Sequence, residues 1–413
     1  MSNPVSSKDS PVESTSSPGR GFDIILHGAT GFVGRLTAKH LASAAPGARI
    51  AIAGRDERKL LALKDELGVR WPVIALDIDD SAAVQELAAS THAVASAIGR
   101  HGLPLALACA RQGTSYADLS GEVPFVRRSI AELHDIAVTT GARIVHACGF
   151  DAVPSDIGTF LLAERARADG EGGLTNTILT LESLRGGLSG GNLDSNHALG
   201  EALKTDPALR AAIADPWALA ATSQEPSPWD ADPAKAFKDP LTGRWLAPAP
   251  GGSFNSRLVR RSASLTEGGY GDDFHYREGM GVGTSPTAHA RAVTVGFGMS
   301  LMKFALTSRS VRPLMTRLLP PGSGPSEKVQ RNGHFRVTIH TRTSTGARYV
   351  ATIAAKGDPG YSATSTMLGQ SVLSLGTDPL TSGGGVLTPS VAMGHHLADR
   401  LSAQGFEISV ERA

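Results

Sequence analysis

Three glycines at three-residue spacing carry the clearest chemical signal in this sequence. Gly28, Gly31 and Gly34 follow the apolar run Phe22–Leu26 and open a helical pattern that extends from about Phe32 to Ala45. In such a unit the first glycine permits a tight turn, and the second lets backbone N–H groups approach a pyrophosphate. The third lets the helix pack against the sheet, and the helix N-terminus adds partial positive charge. The pattern predicts a dinucleotide phosphate site formed by Gly28, Ala29, Thr30, Gly31, Phe32 and Gly34.

The second predicted strand ends in basic residues, where folds that prefer NAD carry an acidic residue for the ribose 2′-OH. Arg55 takes that place, and Lys59 lies one turn into the next helix. A guanidinium and an ammonium favour the 2′-phosphate of NADPH. Asp56 is an alternative ribose acceptor, which leaves NADH open as the second choice of cofactor.

Six strands alternate with helices between residues 21 and 155, which predicts an α/β domain with a Rossmann-type doubly wound parallel sheet. At its carboxyl edge, Asp77 is expected to meet the adenine ring, and Gly99 the nicotinamide ribose. From residue 156 the alternation breaks down, and a second α+β domain on a mixed sheet is expected over 156–386. Residues 387–413 are expected to form a helix and a strand that pack back on the first domain.

Three stretches of the second domain suggest binding surfaces, each with a structural alternative. The Pro- and Trp-rich insertion 204–256 has the length of a lid or binding loop, and its tryptophans either line an apolar channel or anchor the loop. The glycine-rich run 185–191 is either a second backbone cradle for an anion or a turn. Ala292–Leu306 is the most apolar window and predicts a buried helix, with an interfacial or acyl-chain-binding role as the alternative.

Composition excludes several classes of protein. The 413 residues include 40 basic and 39 acidic side chains, so nothing indicates nucleic acid binding. Cys109 and Cys148 lie in apolar surroundings and predict neither a disulfide framework nor a metal site. Residues 1–20 are Ser- and Pro-rich and predict a disordered tail rather than a signal peptide. The absence of a disulfide framework indicates a reduced, intracellular compartment, so a cytoplasmic location is expected. No run of 18 apolar residues is present, so no membrane span is predicted, and a peripheral membrane contact stays open.

The motifs GATGFVG, AGR, YADLSGE and CGFDAVPSDIG together resemble the saccharopine dehydrogenase-like oxidoreductases. Within them the chain is most similar to the mycobacterial trans-acting enoyl reductase branch, and the resemblance continues in LESLRGGLSGGNLDS, LLPPGSGPS and GGGVLTPSVAMG. It implies NADPH-type hydride transfer to a carbon–carbon double bond of a polyketide-like or fatty acyl chain. It therefore implies a hydrophobic acyl substrate, free or bound to a carrier or thioester, and a homodimer stays open.

Reduction of an activated alkene needs a hydride at one carbon, a proton at its neighbour and a donor to the carbonyl oxygen. None of the five tyrosines has a lysine four residues on, which excludes the short-chain dehydrogenase Tyr-x-x-x-Lys pair. The polar candidates left at the carboxyl edge, with water as an alternative proton source, are His101, Ser120, Glu122 and Asp151.

Two other functions stay open. A saccharopine-type amino acid dehydrogenase would need several Arg or Lys side chains converging on substrate carboxylates, and the second domain shows no such cluster in the sequence. A non-catalytic NADP-sensing regulator would use the Trp-bearing insertion as a protein-docking surface.

Overall fold

The computed structural model describes residues 19–186, 206–222, 227–307 and 327–413. Most of the predicted tail, most of the glycine-rich run 185–191 and the LLPPGSGPS motif lie outside these residues. The tail was expected to reach residue 20, but Arg20 is fixed to the first domain. Its guanidinium donates to the carbonyl of Thr91 at 2.7 Å and to that of Gln112 at 2.8 Å.

The first sheet is Rossmann-type, as predicted. Its strands are parallel and, in the described residues, lie in the order β13-β6-β5-β4-β1-β2-β3. Ile24, Ile25 and Leu26 in the strand after the tail are fully buried, because helices cover both faces of the sheet. The strands are β1 Phe22–His27, β2 Ile50–Gly54, β3 Val73–Ala75, β4 Thr91–Ser96, β5 Ser115–Asp118, β6 Arg143–Val145 and β13 Gly385–Leu387.

Local capping signals place the helices of this domain. The Asp80 carboxylate accepts from the N–H groups of Ala82 and Ala83 at the start of one helix, while Gly68, Gly113 and Gly141 end three others in the left-handed conformation. The helices are α1 Phe32–Ala44, α2 Glu57–Leu67, α3 Ser81–Ala89, α4 Leu103–Gln112, α5 Val123–Thr140 and α6 Val153–Ala168.

The second sheet is mixed, as predicted, with the order β14-β12-β11-β7-β10-β9-β8 in the described residues. β7 pairs parallel with β10, and the other neighbours are antiparallel. Its strands are β7 Leu174–Arg185, β8 Phe237–Lys238, β9 Trp245–Pro248, β10 His275–Gly281, β11 His334–Thr343, β12 Arg348–Lys356 and β14 Glu407–Arg412. The later helices are α7 Pro207–Ala214, α8 Gly252–Leu265, α9 Ala288–Thr307, α10 Glu327–Asn332, α11 Thr364–Thr377 and α12 Pro389–Ala403.

The C-terminal part of the chain contributes to both sheets, which differs from the expected division at residue 387. β13 was assigned to the second domain, but it extends the first sheet beside β6. β14 was expected to pack on the first domain, but it pairs with β12 at the edge of the second sheet. The sequence alternation in β14 predicts a strand, but the partner of a strand cannot be read from local pattern.

The prediction that the apolar window Ala292–Leu306 is buried is wrong. This window forms most of α9, where Val293, Phe297 and Leu301 are 50%, 71% and 59% exposed. Hydropathy identifies an apolar helix, but the body contacts it mainly through small residues such as Ala288 and Ala292. Within the described residues no helix is long and apolar enough to cross a membrane.

Candidate functional site

A cleft of about 550 Å³ lies at the carboxyl edge of the first sheet, beside the point where β1 separates β2 from β4. Ligands of open α/β sheets bind at this topological switch point. The cleft brings together six of the residues that sequence reasoning selected for the cofactor, namely Gly28, Thr30, Gly31, Arg55, Lys59 and Asp77.

The glycine turn has the geometry that a phosphate cradle requires. Gly28 has φ +77°, and a Cβ on Gly34 would lie 2.1 Å from the Gly28 carbonyl oxygen. Gly31 is the N-cap of α1, and no side chain caps it, so the N–H groups of the first turn remain open toward an anion. A Cβ on Gly31 would meet only the Gly28 carbonyl oxygen, at 3.4 Å.

The other predicted members of the glycine loop do not line the cleft. Ala29 is fully buried, and its N–H lies 3.4 Å from the carbonyl oxygen of Ala53. The Phe32 ring packs edge-on against Tyr361, with 5.0 Å between centroids. The Ala29 and Phe32 side chains and the close approach at Gly34 fix the turn, so these residues can meet a ligand only through their backbone.

His27, at the end of β1, is a cleft residue that the sequence pattern does not single out, because there it marks only the start of the glycine turn. Its side chain is 3% exposed and lines the cleft. Neither ring nitrogen has a hydrogen-bond partner in the described part of the chain. Burial, and next the charge of Arg55, lower the pKa of His27 to about 4, so the ring is neutral at physiological pH. A buried polar group without a partner is costly unless a ligand satisfies it, which fits a dinucleotide in this cleft.

The basic residues at the adenosine end of the cleft differ in whether they are paired with other groups of the chain. Arg55 is exposed, and the described residues offer it no ion-pair partner. Lys59 Nζ lies 3.5 Å from Asp56 Oδ2, and Asp56 Oδ1 accepts from the Lys59 N–H as the cap of α2. Asp77 accepts from the N–H of Asp79 at 3.1 Å. Because Asp56 is engaged as a cap, Arg55 is the freest group for a ribose substituent.

The four catalytic candidates are not gathered at one point. His101 is exposed and lines the dinucleotide cleft, while the predicted Gly99, with φ +59°, begins the short 3₁₀ turn beside it. Glu122 is the half-buried N-cap of α5 and makes no side-chain cap bond. Asp151 is exposed in the turn after β6.

Ser120 belongs to a buried network centred on Asp118. The Asp118 carboxylate accepts from the Ser120 N–H at 2.9 Å and from the Tyr116 hydroxyl at 3.1 Å. His146 Nδ1 lies 3.0 Å from it, and His146 Nε2 lies 2.7 Å from Ser129 Oγ. Ser129 and His146 are buried, and neither lines the dinucleotide cleft. The role of this network is to hold the loops after β5 and β6.

Comparison with known proteins decides the family. The profile of the saccharopine dehydrogenase NADP binding domain matches residues 24–145. A Mycobacterium tuberculosis protein that is named a trans-acting enoyl reductase is 43% identical over 412 residues, which cover 95% of this chain and 98% of that protein. The trans-acting enoyl reductase of Mycobacterium ulcerans is 40% identical over 421 residues, 96% of this chain and 99% of that protein. The chain belongs to the family of the trans-acting enoyl reductases.

Saccharopine dehydrogenase (L-Glu forming) from Saccharomyces cerevisiae shares the fold. The TM-score is 0.53 at 13% identity, over 95% of this chain and 100% of that one. At this identity the similarity concerns the fold alone. Together with the family, it identifies the protein as an NAD(P)-dependent oxidoreductase.

A buried carboxyl group lies where the two sheets of this oxidoreductase meet. Glu278, on β10, is 4% exposed and accepts from Ser155 Oγ at 2.7 Å, the Tyr276 hydroxyl at 2.8 Å and Asn255 Nδ2 at 3.1 Å. Burial raises the pKa of Glu278. Phe254, beside Asn255, lies close to the loop after β5, since a Cβ on Gly121 would be 3.6 Å from its ring. Sequence reasoning had no signal for this group, because Ser155 and Glu278 are 123 residues apart.

A second buried carboxyl group, Asp156, joins α6, α8 and α12. It accepts from the Ser390 N–H at 2.7 Å and the Ser390 hydroxyl at 2.8 Å, and from the Ser262 hydroxyl. Burial raises the pKa of Asp156 to about 6. Its partners are backbone and hydroxyl groups of the fold, so the contact is structural.

The second domain contains a basic cluster that the sequence did not reveal. The three arginines on α8 are buried, at 0–2% exposure. Each donates to groups of the chain itself, including the Asp232 carboxylate at 3.0 Å, the Asp230 carboxylate at 3.2 Å and the Leu219 carbonyl at 2.6 Å. Through these contacts the three arginines hold the insertion on the body of the protein. They are Arg257, Arg260 and Arg261.

The tryptophans of the insertion also anchor it. Trp217 is buried, with the Arg260 guanidinium 5.4 Å from its ring centroid. Trp229 lies under Arg277 at 4.5 Å, and Trp245 packs against His289 at 4.2 Å. The sequence left open whether the tryptophans line an apolar channel or anchor the loop, and these contacts favour anchoring. The described residues contain no group of three or more His, Cys, Asp or Glu that could hold a metal ion.

Proposed function

We propose that this protein is an NADPH-dependent enoyl reductase that reduces a carbon–carbon double bond in a hydrophobic acyl substrate. The observation that carries the proposal is the glycine-turn cleft, with neutral His27 in its wall and free Arg55 at its rim. The names of the relatives support the reaction class. The polyketide-like or fatty acyl nature of the substrate, and its attachment to a carrier or thioester, belong to the proposal.

The cofactor residues have separate roles in this proposal. Backbone N–H groups after Gly31 bind the pyrophosphate, and Arg55 with Lys59 binds the 2′-phosphate. His27 forms a hydrogen bond to the bound nucleotide, and Asp77 lies beside the adenosine. When bound, NADPH would supply the hydride to one carbon of the double bond, and a side chain of this chain or a water molecule would supply the proton to its neighbour.

The proton donor is proposed from geometry and environment. His101, Glu122 and Asp151 remain candidates because their side chains are accessible, whereas Ser120 is engaged with Asp118. Glu278 joins them because its raised pKa keeps a proton on the carboxyl to higher pH than on an exposed glutamate. It also lies at the junction of the two sheets.

The runner-up, a saccharopine-type dehydrogenase, receives less support. A substrate with several carboxylates requires free cationic groups, yet the arginines clustered on α8 are engaged with the chain. A hydrophobic acyl chain requires no such groups.

Chain-length dependence tests the substrate class. Each buried methylene contributes ~0.8 kcal/mol, so we expect kcat/KM for enoyl thioesters to rise at least ~10-fold over four added carbons at fixed NADPH. Saccharopine with NADP⁺ is the control. Flat dependence with good saccharopine turnover would establish the runner-up, and tight NADPH binding without turnover would favour the regulator.

Cofactor preference tests the adenosine end separately. Charge-assisted phosphate bonds contribute ~1.5–3 kcal/mol each, so NADPH should bind at least ~10-fold more tightly than NADH. Arg55→Ala should remove most of this preference. Arg70→Ala is the matched control, since Arg70 is an exposed arginine between α2 and β3 that does not line the cleft. Equal affinities in the native protein would refute the assignment.

A further inference from the structure

An outer pocket of about 530 Å³ adjoins the dinucleotide cleft at the start of α2. Its wall is the run Arg55–Lys59, and Arg55, Asp56 and Lys59 of this run line the cleft as well. The outer pocket therefore continues the adenosine end of the cleft outward. Arg58 lines the outer pocket but not the cleft, and the proposed function gives it no role.

The two acidic side chains of the outer pocket do not neutralise its three basic ones. Asp56 is turned toward Lys59, since its Oδ1 accepts from the Lys59 N–H at 3.1 Å and its Oδ2 lies 3.5 Å from Lys59 Nζ. Glu57 is exposed and makes no ion pair within the described residues. Arg55 and Arg58 are also exposed, and neither has an ion-pair partner in this part of the chain. The outer pocket thus offers two free guanidinium groups and one free carboxylate.

The charge of Arg58 lies close to the N-cap of α2. Hydrogen bonds from Lys59, first that from its backbone N–H, lower the pKa of Asp56, and the charge of Arg58 lowers it further. The N–H groups of Glu57 and Arg58, in the first turn of α2, have no acceptor among the described residues. The free guanidinium groups and the open end of a helix therefore lie together, and both favour an anion.

A phosphate monoester on a ribose is the chemical group that suits the outer pocket. It carries nearly two negative charges at neutral pH, and its oxygens accept from two guanidinium forks at once, which a hydroxyl group cannot do. We propose that Arg58 joins Arg55 as the second guanidinium group on the 2′-phosphate of NADPH and so strengthens the preference for NADPH over NADH. Lys59 holds the Asp56 carboxylate and keeps it from competing for the two arginines. This role rests on the proposed function, which places the adenosine end of the cofactor here.

Binding of cofactors and half-cofactors to the full-length protein tests the role of Arg58. The native protein should bind 2′,5′-ADP at least ~10-fold more tightly than 5′-AMP, and NADPH more tightly than NADH by a similar factor. Arg58→Ala should reduce both ratios at least ~5-fold through loss of a charge-assisted contact, and leave the affinities for 5′-AMP and NADH unchanged. The control Arg70→Ala removes an exposed arginine that lines neither the cleft nor the outer pocket and should change neither ratio.

The coenzyme A fragment 3′,5′-ADP carries the same phosphate chemistry on a different ribose oxygen, so it distinguishes two sources of the group. It should bind no more tightly than 5′-AMP. Tighter binding of 3′,5′-ADP than of 2′,5′-ADP, lost in Arg58→Ala, would assign the outer pocket to coenzyme A and overturn the proposal. A preference for NADPH that Arg58→Ala leaves intact would overturn it as well, with the proposed function unaffected. NADPH-selective binding that depends on Arg58, but without turnover of enoyl thioesters, would support this role and remove the reductase.

Discussion

Replacing Gly31 by valine should separate cofactor binding from folding. Gly31 has φ −70° and ψ 166°, which are ordinary values for a residue with a side chain. A Cβ there would be 3.4 Å from the Gly28 carbonyl oxygen, and no other atom outside its chain neighbours comes within 4 Å. We therefore expect the free energy of unfolding to change by less than ~1 kcal/mol.

The effect on NADPH should be much larger. The valine side chain would occupy the space in front of the first turn of α1, where the pyrophosphate must approach the N–H groups. Loss of two hydrogen bonds to a charged group, at ~1.5–3 kcal/mol each, corresponds to at least ~100-fold weaker binding. Fluorescence titration with NADPH and urea unfolding of the apoprotein measure the two quantities.

Two further glycines provide matched controls. Gly34→Ala would place a Cβ 2.1 Å from the Gly28 carbonyl oxygen, so it should destabilise the fold as well as weaken binding. Gly47→Val changes an exposed glycine with no neighbour within 4 Å and should alter neither quantity. If Gly31→Val binds NADPH within threefold of the native protein, the pyrophosphate lies elsewhere and the reasoning fails.

Three other predictions follow from the buried titratable groups. His27→Ala should weaken NADPH binding ~10-fold, and the pH dependence of the affinity between pH 5.5 and 8 should be the same in the native protein and the variant, since the pKa of His27 is about 4; an inflection near pH 6.5 that His27→Ala removes would contradict this. The pKa of Asp156 is raised from 3.8 to about 6. The free energy of unfolding of the native protein, compared with that of Asp156→Asn, should therefore be greatest below pH 4 and decline by on the order of 3 kcal/mol as pH rises past 6. Urea unfolding of both proteins at pH 4 and pH 7 measures this difference, and the same difference at both pH values would refute the prediction. Glu278→Gln should lower kcat at least ~10-fold without changing NADPH affinity, and an unchanged kcat would remove Glu278 from the proton donors.

The dinucleotide half of the site could be predicted because its determinants are local. The β1 strand, the glycine turn and the start of α1 occupy adjacent residues, and each glycine has a steric requirement that sequence spacing expresses. Helix ends such as Gly68 and Gly141 are likewise set within one turn of the chain. His27 escaped because nothing in its spacing shows that its ring has no partner.

The rest of the site depends on pairings between distant residues. Asp118, Ser129 and His146 form one network only because β5, β6 and α5 are adjacent in the fold. The exposure of α9 could not be predicted from the sequence for a related reason. Hydropathy measures how apolar a window is, whereas the choice of buried face depends on small residues that fit against β9.

The motif CGFDAVPSDIG shows why one stretch can characterise a family without revealing a catalyst. Its Cys148 N–H donates to the Asp118 carbonyl at 2.8 Å, and its Phe150 N–H donates to Thr364 Oγ1 at 3.1 Å. Ser155 and Asp156 contact Glu278 and Ser390, on two further elements. A Cβ on Gly158 would lie 2.6 Å from Ile339 of the second sheet. Each of these residues meets a different part of the fold, so the motif is required to hold the junction between the two sheets together.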